Sequence, residues 1–372
     1  MSDAAAAKAP PRAARWTRPL VRQGPLFLSI IAVLVVGNLL SPYFLNSNNF
    51  RNILITGAVV SVLAVGQFMV IVTAGIDLSV GAVASFSTVL SAVLMSKGVP
   101  VVWTVLIVLA VCACFGVVNG VLVVYGGITP FIATLGMMGV VQGLAYLVQG
   151  GTYVRINHQG FIDFFSGQLG SVPVQVIIFV AITVVFAVTM RWSTFGRALY
   201  AIGGNAEAAR LSGLPVRRNL VIAYATSATL AAVAGFMLAA QLGEGSSQLG
   251  QGLELDSIAA AVVGGASLFG GLGSPVTAVL GGLLIGVIGN IMNLRGVPAE
   301  PQLIIKGSLI LIAVFVTSGR GSAIRAAAGR RAKAIFTGRD GRHTTPLVNS
   351  SASATNPQLH EPASRDEAPI AS

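Results

Sequence analysis

The sequence predicts an all-α polytopic membrane protein of about ten transmembrane helices, and three observations carry that expectation. Apolar residues make up 54% of the 372 positions and charged residues only 9%, whereas a water-soluble domain carries roughly 25% charge. The charges avoid the middle of the chain: 6 precede residue 26, 12 follow residue 318, and 17 are spread over the 293 residues between. Within that middle, apolar stretches recur at membrane-spanning length, about 20 residues for a ~30 Å hydrocarbon core at 1.5 Å per residue. The 44 glycines follow neither heptads nor a collagen period. A net charge of +11 suggests nucleic acid when it forms a stripe on a folded domain. Here the basic residues sit at the ends and in one internal loop, so no nucleic-acid partner is expected.

In chain order, a basic segment (1–25) precedes a membrane domain (26–318) and a tail (319–372). The spans are expected near 26–45, 53–74, 79–96, 101–124, 130–150, 172–190, 220–242, 256–270, 274–294 and 301–318. The first follows basic residues as a secretory signal would. It is about twenty residues long, however, and ends in bulky Ser41-Pro42-Tyr43-Phe44 rather than a small-residue cleavage site, so a retained helix is expected. The eighth is short, and Gly264, Gly265, Gly270 and Gly271 are placed to break or bend it. Non-helical backbone at membrane depth must be buried in protein or line water. The tail is rich in Ser, Thr, Asn, Pro and Ala and is expected to be disordered, because it has too little apolar area to offset its chain entropy. Its stretch from Arg325 to Arg342 suits anionic lipid, or serves only as a solvated basic extension.

Basic residues mark the cytoplasmic side of short loops. With both termini inside, eighteen fall on that face, among them Arg191, Arg197, Arg210, Arg217 and Arg218; Arg51, Lys97, Arg155 and Arg295 fall on the other, and Lys306 within a span. There is also an internal echo. Gly75-Ile76-Asp77-Leu78-Ser79 after the second span resembles Glu254-Leu255-Asp256-Ser257 after the seventh, and Gly127-Ile128-Thr129-Pro130 resembles Gly296-Val297-Pro298. Each pair falls on opposite faces, as in an inverted repeat.

The chemistry-bearing residues are few. Cys112 and Cys114 lie in an apolar run, and His158, His343 and His360 are scattered, so neither a disulfide framework nor a metal site is expected. No phosphate loop of the GxxxxGK[ST] type occurs. With no nucleophile–base pair either, an enzyme is not expected, and no cofactor. Asp77, Asp256 and Lys306 lie near membrane depth, where a charge costs roughly 2.5–3.5 kcal/mol on insertion scales. Asp77 before Ser79, and Asp256 before Ser257, stand where the third and eighth spans begin, so capping of exposed N–H groups is the favoured role. Gating or solute contact stays open for both. Lys306 either neutralises an acid or snorkels.

The longest polar connection, 191–219, holds Asn205 as a good N-cap, helix formers Ala206 to Leu211 with Glu207 in the first turn, and Gly213 before Leu214-Pro215 to stop the helix. So short a helix needs a surface to dock on, either a partner protein or its own membrane domain. Here the chain resembles a known family. Glu207-Ala208-Ala209 with Gly213 is similar to the EAA-type coupling loop of ABC-importer permeases. Residues 26–318 are similar to the ribose/xylose/arabinose-type sugar permeases. The matching stretches are Asn48 to Leu54, Thr73-Ala74-Gly75-Ile76-Asp77-Leu78-Ser79-Val80-Gly81, Pro130 to Met137, and Glu254 to Ala260 running on to Gly271.

That resemblance implies a ten-helix type II importer fold in a bacterial plasma membrane. It also implies a homodimer with the pathway between its copies, a cytoplasmic ATPase bound through the coupling helix, and sugar delivered by an extracytoplasmic binding protein. The pairs Gly116/Gly120, Gly139/Gly143 and Gly282/Gly286 permit close helix packing, more readily within one subunit than between two. The competing expectations are an ion-coupled secondary transporter, an ABC permease for a nucleoside or branched-chain amino acid, and a membrane receptor or enzyme.

Overall fold

The computed structural model describes residues 13–317; the tail's expected disorder and lipid contact lie outside the described residues. In chain order the helices are α1 (Ala13–Leu40), α2 (Ser47–Ile71), α3 (Val80–Ser96), α4 (Val101–Val124), α5 (Pro130–Gln149), α6 (Gln159–Ser166), α7 (Val174–Trp192), α8 (Thr194–Gly204), α9 (Ala206–Leu211), α10 (Val216–Leu242), α11 (Leu253–Val263), α12 (Pro275–Leu294) and α13 (Ala299–Thr317). Four two-residue strands join them: β1 (Val154–Arg155), β2 (Gln168–Leu169), β3 (Val172–Pro173) and β4 (Glu244–Gly245). β1 pairs antiparallel with β4 and β2 with β3. Among the described residues, α2, α4, α5, α7, α10 and α12 are long and apolar enough to cross a membrane.

The centre of the molecule is α2 packed on α10, each buried along most of its length. Around them stand α3, α4, α11 and α12. Glycine sets these distances. A Cβ on Gly116 of α4 would sit 2.7 Å from Ala225 Cα of α10, and one on Gly286 of α12 would sit 2.7 Å from Gly57 Cα of α2. Gly120 and Gly282 are equally crowded, so two of the three glycine pairs close helix contacts inside this chain. The third does not. Gly139 and Gly143, together with Gly136, lie on an exposed face of α5 with nothing within 4 Å of an added Cβ. Gly116→Ala is therefore expected to lower the thermal unfolding midpoint of the purified protein, while Gly139→Ala leaves it unchanged.

One expectation needs correction. The span expected at 256–270 is not one: α11 has 11 residues, roughly 16 Å of helix, about half a hydrocarbon core. It gives way to a loop in which Gly265, Gly270, Gly271 and Gly273 adopt positive φ, a region closed to most side chains on steric grounds. α1 begins at Ala13 and its apolar part is Leu26–Leu40.

Candidate functional site

Two interruptions of the helical path place the buried polar residues. After α2 the chain turns in a Schellman arrangement, with Gly75 N–H donating to Val70 O (3.2 Å) and Ala74 N–H to Ile71 O (2.9 Å). The turn puts Ala74 at φ 64°, where alanine is strained by roughly 1–2 kcal/mol. Residues 75–79 then run unwound until α3 starts. Buried side chains satisfy this exposed backbone. The Gln67 amide, in the orientation that satisfies both groups, donates to the Asp77 carbonyl (3.0 Å) and accepts from the Asp77 N–H (3.2 Å). Thr134 of α5 donates to the Ile76 carbonyl (3.3 Å). Gln67 stands four residues before the end of α2, so the break lies roughly 6 Å inside the helix layer.

Asp77 accepts at Oδ1 from the Ser79 N–H (3.0 Å) and hydroxyl (2.6 Å). Ser79 holds the N-cap position of α3 but makes no side-chain cap bond; its hydroxyl also accepts from Asn119 Nδ2 of α4 (2.9 Å). The carboxylate of Asp77 thus holds an amide at the start of the helix from two residues upstream.

The second interruption runs from Gly243 to Gly252 and ends where α11 starts. Gly250 N–H donates to Ser85 Oγ of α3 (2.8 Å), and Gly81 packs against Gly250 and the Glu254 carboxylate. Ser85 is 11 residues from the far end of α3, roughly 16 Å along it, so the first turns of α3 and α11 meet deep in the bundle. Ser247 ties this loop to α5: its N–H donates to Gln149 (2.6 Å) and its carbonyl accepts from Gln142 (2.7 Å).

Asp256 does not cap α11. The helix starts three residues earlier, and the Gly252 N–H at its N-cap donates to Glu254 (3.3 Å). Asp256 instead receives Lys306 of α13, with Nζ 2.7 Å from Oδ2; the side chains are 6% and 25% exposed. Lys306 therefore neutralises an acid. Ser257 is fully buried and donates to the Glu254 carbonyl (2.8 Å).

At the opposite end of α11 the 264–273 loop rests on α8, a helix the sequence reading did not anticipate. Ser193 caps it, accepting from the Gly196 N–H (2.9 Å). A Cβ on Gly203 would overlap the Val72 carbonyl and come within 2.5 Å of the Gly271 nitrogen; the Gly271 N–H itself donates to Val72 O (2.8 Å). Tyr200 donates to the Gly273 carbonyl (2.9 Å) and tilts against Phe68. The ends of α2, α8 and α11 are thereby one junction. Its signal in the sequence was Gly203-Gly204, which reads equally well as an ordinary loop.

α9 projects beyond this junction. Asn205 accepts the Ala208 N–H (2.9 Å). Gly213, at φ 79°, closes the helix, with its N–H donating to Arg210 O and Leu214 N–H to Ala209 O. Ala209 alone in α9 is buried; Glu207, Ala208, Arg210 and Leu211 are exposed, as are Gly213 and Pro215, with Leu214 half-buried. Leu211 is 75% exposed. Glu207 and Arg210 form an ion pair. The Arg210 hydrogen bond, then its charge, holds the Glu207 carboxyl below the usual carboxylate range and raises the Arg210 guanidinium. The pair thus persists as pH falls into that range.

The comparisons with known proteins cover the same region. The family model described as "Branched-chain amino acid transport system / permease component" matches residues 49–314. The ribose import permease of Bacillus subtilis (strain 168) is 40% identical over 296 residues, 79% of this chain and 91% of that protein. The D-allose transport system permease of Escherichia coli (strain K12) is 35% identical over 294 residues, 79% and 90% of the two chains. The ribose import permease of Escherichia coli (strain K12) is 35% identical over 305 residues, 81% and 95%. No solved structure gives a significant match. From the two interrupted helices to the junction beneath them, the matched region is one apolar helical bundle, and the chain belongs to the branched-chain amino acid transport system / permease component family of membrane permeases.

Proposed function

We infer that the chain is the transmembrane permease subunit of an ATP-binding-cassette sugar importer, moving a monosaccharide of the ribose-like pentose or hexose class across the bacterial plasma membrane. The observation that carries this is similarity to ribose and allose permeases over 79–81% of this chain and 90–95% of those proteins. In this reading a separate cytoplasmic ATPase supplies the energy, and an extracytoplasmic binding protein delivers the sugar. Both termini face the cytoplasm, as the distribution of basic residues favours.

The ATPase grips α9, whose exposed Leu211 and Glu207–Arg210 pair offer an apolar knob and a charged rim. Movement passes through α8 to the end of α2 and the 264–273 loop, and so to both helix interruptions. Since Gly81 of α3 packs on Glu254 of α11 and on Gly250 just before it, a small shift of the junction tilts both helices at once, which is how discontinuous helices support alternating access. The pairing of the two interruptions supports an inverted repeat, and Asp77, Ser79, Asp256, Ser257 and Lys306 position its parts.

A second copy packs on the open α5 face of Gly136, Gly139 and Gly143, bringing the pathway between the two chains. Cysteines placed at Gly139 in a variant lacking Cys112 and Cys114 are expected to give disulfide-linked dimers in membranes. Monomer only would remove α5 from the interface.

Glu207→Lys and Gly213→Pro test the coupling assignment, since proline cannot adopt φ 79°. Both are expected to insert normally yet to lose ATP-driven uptake in proteoliposomes holding the ATPase and binding protein. Wild-type uptake in either variant would remove α9 as the lever. Uptake that fails on collapse of an ion gradient, with ATP present, would instead favour an ion-coupled carrier.

A further inference from the structure

One end of the bundle carries the same arrangement twice. The outer face of α4 is an exposed apolar stripe through Leu106, Val117 and Val121, closed at its two ends by Trp103 (61% exposed) and Tyr125 (62%). The two rings stand roughly 33 Å apart along the helix, about the thickness of a hydrocarbon core. Both therefore fall at headgroup level, where amphipathic rings concentrate. The Arg217 guanidinium lies over the Tyr125 ring, with Cζ 5.4 Å from its centroid. α7 repeats the pattern. Its exposed Val180, Val184 and Val188 lead to Trp192, 67% exposed. Arg191 Cζ is 5.9 Å from that ring's centroid, and Arg197 Nη1 donates to the Trp192 carbonyl (3.0 Å).

The two helix ends lie on the same side of the bundle. Gly66, near the end of α2, packs on Ser227 of α10, and Gly120, near the end of α4, packs on Val221, so α2 and α4 both finish where α10 begins. α8, which follows Trp192, rests on the end of α2 through Gly203.

Charge narrows what can sit there. Arg191, Arg197 and Arg217 are exposed. Among the described residues the ion pairs are Glu207–Arg210 and Asp256–Lys306, so none of the three arginines has a carboxylate. Cations without acids, placed at the ends of apolar stripes, match a molecule that is anionic at one end and hydrocarbon along the rest. We propose that Tyr125–Arg217 and Trp192–Arg191–Arg197 dock the headgroups of anionic phospholipids whose chains lie along α4 and α7. A guanidinium fork matches phosphate oxygens, and the ring beneath it holds the fork in place. A free phosphate would meet the arginines alone; a phospholipid also uses the stripe. Trp192 directly precedes Ser193, the cap of α8, so headgroups held here fix the level of α8 and of the junction it makes with α2.

The proposal needs only a membrane-spanning chain and is independent of the importer assignment. The test uses the full-length protein in nanodiscs of phosphatidylcholine with rising fractions of phosphatidylglycerol, at fixed pH. Phosphatidylglycerol is expected to raise the unfolding midpoint saturably, and less so at high salt, whereas inorganic phosphate added to phosphatidylcholine discs does not. Arg191→Gln and Arg217→Gln are each expected to raise the half-saturating fraction about fivefold while leaving the midpoint in phosphatidylcholine unchanged. Arg295→Gln, beyond α12 and bonded to the Leu40 carbonyl at the opposite end, should leave the half-saturating fraction as in wild type. A midpoint indifferent to phosphatidylglycerol overturns the proposal and leaves the arginines to carboxylates of a partner protein. An equal response to inorganic phosphate, or an equal loss in Arg295→Gln, also overturns it. So does a full wild-type response in both arginine variants, which would assign the effect to the basic tail that every variant retains.

Discussion

Gly203→Ala is expected to abolish ATP-driven uptake while Gly204→Ala, its immediate neighbour, leaves uptake intact. An added Cβ at Gly203 collides with backbone on two sides, the Val72 carbonyl and the Gly271 nitrogen, whereas at Gly204 it meets nothing within 4 Å. Backbone cannot rotate away as a flexible side chain does, so α8 must lift from the end of α2 or the Gly271–Val72 hydrogen bond must break. Either change separates the surface bearing α9 from the two interruptions. The measurement is uptake in reconstituted vesicles, alongside ATPase binding and hydrolysis: Gly203→Ala should still bind the ATPase through α9 but hydrolyse ATP without moving solute. Equal uptake by the two variants would show that the α8 junction transmits nothing.

Lys306→Met is expected to destabilise the protein by about 3 kcal/mol, and Asp256→Asn by only about 1 kcal/mol, although the two remove the same ion pair. Asp256 is 6% exposed and has one carboxylate oxygen with no partner even in the intact pair, so without Lys306 it keeps an uncompensated buried charge. Lys306 retains a quarter of its surface exposed, so without Asp256 its ammonium can extend along its aliphatic stem towards water. Combining the two substitutions should recover most of the Lys306→Met loss, giving a coupling energy of opposite sign to the single effects. Thermal unfolding in one detergent, read for all four proteins, checks this. Equal single effects, or additivity, would mean that the pair is screened by solvent.

The two predictions differ in how far the sequence foreshadows them. Lys306 and Asp256 stand out as charges in apolar stretches, and the rule that such residues find partners narrowed the choices for Lys306 to two. Their pairing is a contact between residues fifty positions apart, which no local pattern encodes. Asp256 shows the limit of local reading in another way. The spacing Asp256-Ser257 mimics a cap, but Gly252 in the left-handed region and the Glu254 carboxylate start the helix one turn earlier. Gly203 is harder still. It carries no charge, and its importance comes from two backbone segments, one from each side of the sequence, that close on it.

The glycine pairs divide in the same manner. Gly116/Gly120, Gly139/Gly143 and Gly282/Gly286 look alike along the chain, yet the first and last are filled by α10 and α2 while the middle pair is open.

By itself the sequence determined that this is a helical membrane protein, where six of its apolar spans lie, and that residues 205–215 hold a capped helix. These follow from composition, apolar run length and capping chemistry, which act over a few residues and leave a periodic trace. Tertiary structure alone decided that Asp77 and Gly250 lie within two breaks converging on α3, that Lys306 answers Asp256, and that α8 sits on the end of α2 and the 264–273 loop. Each depends on backbone groups from distant segments satisfying one another where water cannot, and such long-range pairing leaves no periodic mark on the chain.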